Sequence, residues 1–198
     1  MTYKSSLQLY FHPSAFLTPN SNPSNASSKP NAPISLTYIN ATQPLSTTLR
    51  FFLQLLRASL QALPQSCTPL PSLLTLVSSG WDTATQVAES ERRLSIEGLT
   101  ETRIVSDERL LLSSFILLPK VKTKVRVEFE VAAAVGEDLV LSETVSVSAK
   151  VVYGEKYNEK KMIEAVESVV GGSVEGWETA VRELKEKLLV RGAKGLRK

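Results

Sequence analysis

The sequence predicts an α+β fold in which an antiparallel four-stranded meander follows one long helix and precedes two shorter ones. Residues 124–131, Lys-Val-Arg-Val-Glu-Phe-Glu-Val, alternate charged and apolar side chains without a break, which indicates a strand with one solvated and one buried face. On both sides of the strand region, apolar residues recur instead at helical spacing. The order helix, strands, helix, helix is the main clue to function, because no catalytic motif competes with it.

Four strands are predicted near residues 103–106, 109–118, 122–134 and 139–153, joined by turns at Pro119-Lys120 and at residues 136–138. Sequential hairpins of this kind form an antiparallel meander. The buried faces are predicted to be Val125, Val127, Phe129 and Val131 on the third strand, and Val145, Val147, Ala149, Val151 and Tyr153 on the fourth.

The helices are predicted from their caps and apolar stripes. One helix is capped by Thr47 or Thr48 and ends at Pro64, and a longer one runs from Pro69 or Pro71 to about Leu94 despite Gly80. Asn158 is predicted to cap the next helix, which stops at Gly171-Gly172, and Ser173 to cap the last, which Gly192 closes. Two further features complete this prediction: core positions for Trp81 and Trp177, and the pairs Glu178/Arg182 and Glu183/Lys187 on the exposed side of the last helix.

Two domains are predicted, residues 1–66 and 67–198. Residues 18–33 are rich in Asn, Ser and Pro and are expected to form a mobile loop, because they bury too little to offset their ordering entropy. Alternating apolar residues precede and follow this loop: Leu7, Leu9 and Phe11, then Ile34, Leu36 and Tyr38. They predict two strands that pair as a hairpin.

Composition argues against several functional classes. The single cysteine, Cys67, excludes an intrachain disulfide, and with His12 as the only histidine a zinc site would need carboxylates. His12 has no nucleophile elbow to serve and Cys67 has no cationic neighbour. No catalytic, cofactor-binding or metal-ligating residue is therefore predicted. A reducing, intracellular compartment is expected, and neither a signal peptide nor a membrane span is encoded.

The charged side of the third strand is the candidate for partner binding. Lys122, Lys124 and Arg126 could meet an acidic peptide, although a merely solvated sheet face is the plainer interpretation. The alternative hypothesis is a nucleic-acid-binding module that uses the basic end, residues 191–198, and the ladder from Lys120 to Arg126. Its support is weak, because the formal net charge is only +3 and nucleic acid usually calls for a clustered basic face.

The predicted order of elements resembles the RWD domain, which is also the scaffold of ubiquitin-conjugating enzymes. A conjugating enzyme carries its cysteine after the sheet, and residues 153–158, Tyr-Gly-Glu-Lys-Tyr-Asn, contain none. RWD domains often have a Tyr-Pro pair after the last strand; here Tyr153 is followed by Gly154. The resemblance is therefore to the non-catalytic form of the fold.

Four stretches resemble more particularly the C-terminal region of the fungal kinetochore scaffold (Spc/KNL family), the large subunit of the KMN network: residues 31–38, 50–57, 117–125 and 151–158. In that family the region is a tandem pair of RWD domains. Here the second copy is predicted to be complete and the first to lack its N-terminal helix, which suggests an excised C-terminal fragment.

The resemblance implies a non-catalytic docking module of the nucleus and kinetochore. It would bind the MIND complex through a tail of its Nsl subunit and so support chromosome segregation and microtubule attachment. A Zwint-type partner would be engaged by an upstream coiled coil that this chain is expected not to include. No cofactor and no membrane is implied.

Overall fold

The computed structural model describes residues 2–3, 6–11, 33–39, 44–63 and 68–190. Contacts divide the chain into two compact units: Met1–Thr83 with Ala134–Ser142, and Ala84–Ala133 with Glu143–Lys198. The first boundary between the units, after Thr83, falls within a helix. The predicted start of the second RWD copy at residue 67 stays a prediction. Several predicted features lie outside the described residues: His12, residues 18–32 of the loop, Cys67, Gly192 and the basic end.

The first unit contains a three-stranded sheet, in the order β1 (Thr2–Tyr3), β2 (Leu7–Tyr10) and β3 (Ser35–Tyr38). Strands β2 and β3 are antiparallel, with Leu9 opposite Leu36, so the predicted hairpin is confirmed. Helix α1 (Thr47–Ala62) is tied to this sheet by Arg57, whose Nε donates a hydrogen bond of 2.7 Å to the Leu36 carbonyl.

Helix α1 is capped by Ser46, and the prediction of Thr47 or Thr48 was wrong. The Ser46 hydroxyl accepts a hydrogen bond of 3.2 Å from the Leu49 amide. Thr47 and Thr48 are the first two residues inside the helix, so neither occupies the cap position, which precedes the first helical residue.

Helix α2 (Leu70–Glu97) continues one turn beyond the predicted end at Leu94. Its Gly80 has a packing role: a Cβ at this position would lie 2.7 Å from Cδ2 of Leu56 on α1. The glycine therefore permits the close approach of two helices, which offsets its poor helix propensity. Trp81 is buried in the core, as predicted, with its ring 6.0 Å from that of Tyr38.

The predicted meander is confirmed. Its strands follow in the order β4 (Leu99–Ser106), β5 (Arg109–Leu118), β6 (Thr123–Val135) and β7 (Leu141–Tyr153), and β4 begins four residues earlier than predicted. The apolar face of β6 is fully buried, as predicted: Val125, Val127, Phe129 and Val131. Phe129 stacks on Trp177 with ring centroids 4.9 Å apart, and this pair fills the core of the second unit.

The end of β7 differs from the prediction. Of the residues predicted to be buried, Ala149 is buried, while Val145, Val147 and Val151 are only half-buried. Tyr153 is 55% exposed, so the prediction that it is buried was wrong. The strand ends there because Gly154 adopts a φ of +102°, which turns the chain out of the sheet. Proline has a fixed negative φ and cannot take this conformation, so the departure from the usual Tyr-Pro pair has a structural reason.

Two helices complete the second unit. Helix α3 (Glu159–Val170) is capped by Asn158 and stops at Gly171, as predicted. Helix α4 (Trp177–Val190) begins later than a Ser173 cap would place it, so that prediction was wrong. Ser173 uses its carbonyl oxygen to accept a hydrogen bond of 2.9 Å from Trp177 Nε1, which anchors the loop to the core tryptophan.

The ion pairs on α4 follow the prediction in part. Lys187 Nζ lies 3.6 Å from a Glu183 carboxylate oxygen, as predicted. Arg182 instead reaches Glu97 at 3.7 Å, because Glu97 at the end of α2 approaches the exposed side of α4. An i,i+4 pairing rule considers one helix alone and cannot anticipate such a neighbour.

Candidate partner-binding site

The predicted partner-binding residues occupy two different environments at the start of β6. Lys122 precedes the strand in a left-handed conformation, with a φ of 47°, and its side chain is exposed. Lys124 and Arg126 follow on the solvent side of the strand and are half-buried. The structure therefore brings Lys124 and Arg126 to one sheet face, which we call the open face, and leaves Lys122 in the turn beside it.

Neighbouring strands engage the two strand cations. The Lys124 ammonium lies 4.0 Å from the centroid of the Phe115 ring on β5, which is a cation–π geometry. Arg126 Nε lies 3.3 Å from Glu128 Oε1, at ion-pair distance but without hydrogen-bond geometry. The charge of Arg126 is thus already compensated within the sheet, whereas Lys124 contacts an aromatic ring and has no acidic partner among the described residues.

Glu128 is the centre of a polar network on the open face. Its carboxylate accepts hydrogen bonds from Ser113 on β5, at 3.4 Å, and from Ser148 on β7, at 3.1 Å. Farther along β6, Glu130 pairs with Arg109 at 3.3 Å. These contacts link three strands, so the centre of the face has a structural role that its alternation alone did not reveal.

A second feature, not predicted from the sequence, lies at the end of this sheet. A cleft of about 160 Å³ opens between the adjoining ends of β4 and β5 and helix α4. Its lining residues are Glu97, Gly98, Leu99, Phe115, Ile116, Leu117, Val181, Arg182 and Lys185. Leu99 and Leu117 are 61% and 55% exposed, so apolar surface is presented to solvent at this point.

The amino-acid sequence of strand β5 indicates apolar surface at this cleft. Strand β5 has apolar residues at both parities, with Leu111, Phe115 and Leu117 on the side opposite Leu110, Leu112 and Ile116. Since alternate residues of a strand face opposite sides, the open face cannot be wholly polar beside β5. Strand β6, which alternates strictly between charged and apolar residues, does not indicate this apolar surface on the open face.

A third feature is an apolar pocket in the first unit. Its volume is about 280 Å³, and it lies between β2, β3 and the N-terminal half of α2. Leu7, Leu9 and Leu36 form the sheet side, and Leu74 and Val77 the helix side. No charged residue lines it among those described, and its polar side chains are the hydroxyls of Thr75 and Ser78, so it offers mainly apolar surface.

The described residues contain no group of His, Cys, Asp or Glu side chains suited to hold a metal ion. Over the same ranges, no helix has the length and apolarity needed to cross a membrane. One carboxyl is clearly perturbed: hydrogen bonds from Arg92 and Arg93 on α2 lower the pKa of Glu89 to about 2. This exposed cluster is a surface ion-pair network on a helix.

Comparison with known proteins finds a family similarity over the N-terminal part of the chain. Residues 1–88 match the family model described as the Knl1 RWD C-terminal domain. No curated protein and no solved structure gives a match. RWD domains are protein-interaction modules, and the described fold, a mixed α+β arrangement with an antiparallel four-stranded sheet and four helices, agrees with that assignment. The N-terminal part of the chain is therefore similar to the RWD region of kinetochore scaffolds of the KNL family.

Proposed function

We propose that this chain is a non-catalytic docking module that attaches the kinetochore scaffold to the MIND complex by receiving a tail of its Nsl subunit. The observation that carries the proposal is the match of residues 1–88 to the Knl1 RWD C-terminal domain. Docking in this way would hold the scaffold at the kinetochore in the nucleus and so support microtubule attachment and chromosome segregation.

The surfaces of the described residues support peptide docking. An extended peptide can be bound through apolar pockets and through an exposed strand edge. The first unit has an apolar pocket of about 280 Å³, and β4 and β7 are the outer strands of the second sheet. These features are of the kind that a protein tail, rather than a small substrate, would use.

The side chains near these surfaces support a non-catalytic role. An active site typically combines a pocket with titratable groups whose pKa values are strongly shifted. The pKa of Glu89 is lowered and that of Arg92 is raised because the two side chains form an exposed ion pair. The apolar pocket has no ionisable side chain among its described lining residues. The proposal therefore assigns no bond-making step to this chain.

Calorimetric titration tests the proposal directly. The chain is titrated with a synthetic peptide of the Nsl tail from the same organism, and separately with a DNA duplex, each at low and at high salt. We expect micromolar or tighter peptide binding that persists at high salt. Binding to DNA alone, with a steep loss at high salt, would contradict docking and favour a nucleic-acid-binding module.

Charge reversal tests whether the predicted cations participate. Lys122→Glu removes an exposed cation for which no ion pair is found among the described residues, and we expect it to weaken peptide binding by about threefold to tenfold. Lys160→Glu on α3 is the matched control, because Lys160 is also an exposed lysine of the second unit. Equal affinities for both variants would remove Lys122 from the site.

A further inference from the structure

The cleft at the end of the second sheet combines exposed apolar side chains with uncompensated positive charge. Leu99 is the register partner of Phe115, and Leu117 follows Phe115 by two residues on the same strand. All three side chains therefore project from the open face and lie next to one another. Helix α4 packs on the other face, where Trp177 stacks on Phe129, so the cleft extends around the ends of the strands to include Lys185. Scattered exposed apolar residues are common on proteins, but adjacent ones around a concave site mark a binding surface.

The positive charge comes from two lysines. Lys185 on α4 lines the cleft, and no ion pair to it is found among the residues that the structure describes. Lys124 is the register partner of Leu117, and its ammonium lies over the Phe115 ring at 4.0 Å. The ammonium thus lies against the apolar surface without a carboxylate partner among the described residues, and it can pair with an acid of a ligand.

The other two charges of the lining compensate each other. Arg182 lies 3.7 Å from Glu97, and Glu97 is the single acidic residue of the lining. Subtracting this pair leaves Lys185 within the lining and Lys124 beside it. The site is therefore complementary to negative charge placed around an apolar group.

The size of the cleft indicates what it can hold. Its volume of about 160 Å³ is well below the roughly 300–1,000 Å³ of pockets that bind drug-sized ligands. It suits one large apolar side chain rather than a cofactor. Interface hot spots commonly consist of such an anchor in a pocket, with polar contacts at its rim.

We propose that this cleft receives one large apolar side chain from an acidic segment of a partner protein, with carboxylates beside the anchor pairing with Lys124 and Lys185. The proposal deepens the docking function and rests on it, since it specifies the chemistry of the partner segment. The apolar pocket of the first unit, which lacks charge, does not supply this specificity.

The test uses the intact chain labelled with ¹⁵N and a synthetic twelve-residue probe rich in Asp and Glu, with one central Leu. Two companion probes replace this Leu by Ala or every acid by Lys. We expect the first probe to shift the amide signals of Leu99, Leu117 and Lys185. Each companion should bind at least about tenfold more weakly, because it lacks either the anchor or the charges.

Matched variants then test the lining. Leu117→Glu and Lys185→Glu should each weaken probe binding by about tenfold. Val105→Glu and Lys160→Glu should leave it within about twofold. Val105 is 51% exposed on the same strand as Leu99, about 20 Å away at the rise of an extended chain, so it controls for an acid placed on an exposed strand position. Amide spectra of each variant establish that it remains folded.

The outcomes separate this inference from the proposed function. If the Nsl tail binds but Leu117→Glu and Lys185→Glu leave its affinity unchanged, docking stands and the cleft proposal is overturned. If the acidic probe binds at the cleft and the Nsl tail does not bind, the cleft proposal stands and the MIND assignment falls. Failure of both ligands overturns both. A dimer that Leu117→Glu converts to a monomer, with no effect on the probe, would instead assign the cleft to self-association.

Discussion

The two faces of strand β6 show how one alternating sequence produces surfaces of different use. On one face, Val125, Val127, Phe129 and Val131 are fully buried, and burial of this kind is the main source of stability. On the other, Lys124, Arg126, Glu128 and Glu130 are half-buried and mostly engaged with β5 and β7. A charged strand face is therefore not the same as a free binding surface.

Binding capacity remains where charged and apolar side chains lack neighbours within the sheet. Charges in the middle of a sheet have neighbours on both sides and can be compensated there, whereas residues at the ends of strands have fewer neighbours. The cleft formed by Leu99, Leu117 and Lys185 lies at such an end. The following predictions test this comparison, from the buried face outward.

The largest effect is expected on the buried face. Phe129→Ala should lower the free energy of unfolding by about 3–5 kcal/mol, because it removes a fully buried ring together with its stacking contact to Trp177. Denaturant unfolding of Glu130→Ala, on the opposite face of the same strand, is the control and should differ from the parent by about 0.5 kcal/mol or less. Similar losses for the two variants would show that the faces do not differ as described.

A smaller effect is expected where β6 begins and β7 ends. A Cβ on Gly154 would lie 2.6 Å from the Lys122 carbonyl oxygen, and the residue has a φ of +102°. Gly154→Ala should therefore cost about 1–3 kcal/mol. Gly172→Ala is the control, since Gly172 also has a positive φ, 78°, but nothing within 4 Å of its Cβ. A cost for Gly154→Ala no greater than the control's would exclude the clash as a cause.

The open face should give a weaker effect. The pair formed by Arg126 and Glu128 has side chains 39% and 16% exposed, so solvent screens it partly. A double-mutant cycle with Arg126→Ala and Glu128→Ala should yield a coupling energy of about 0.2–1 kcal/mol. A coupling energy near zero would mean that the serines alone hold Glu128 in place.

The smallest effect is expected for the exposed cluster on α2. The pKa of Glu89 is lowered from 4.5 to about 2 by Arg92 and Arg93, so its ionised form is favoured in the folded state. Its contribution to stability should be present above pH 4.5 and lost as the pH falls towards about 2. The difference in unfolding free energy between the parent and Glu89→Gln should shrink over that range, and a pH-independent difference would contradict the assigned cause.

The accuracy of the sequence predictions depended on whether a feature was local. The caps at Asn158 and Gly171 were predicted correctly, because they depend on residues a few positions apart. Tyr153 was predicted to be buried but is exposed, because the chain leaves the sheet at Gly154. Of the candidate site, Lys124 and Arg126 were placed correctly on the solvent side of β6, but their partners on β5 and β7 were not foreseen. Whether they bind a partner stays a prediction.

The order of the helices, the four-stranded meander and the buried face of β6 could be predicted from the sequence alone, because hydrophobic periodicity and turn residues act over short stretches. The four family-like stretches of the sequence also indicated the KNL family, which the match of residues 1–88 supports. The compensation of individual charges, and the cleft that Leu99, Leu117 and Lys185 line together, could be seen only in the folded structure. Those arrangements depend on strand register and on the approach of α4 to β5, which bring together residues far apart in the chain.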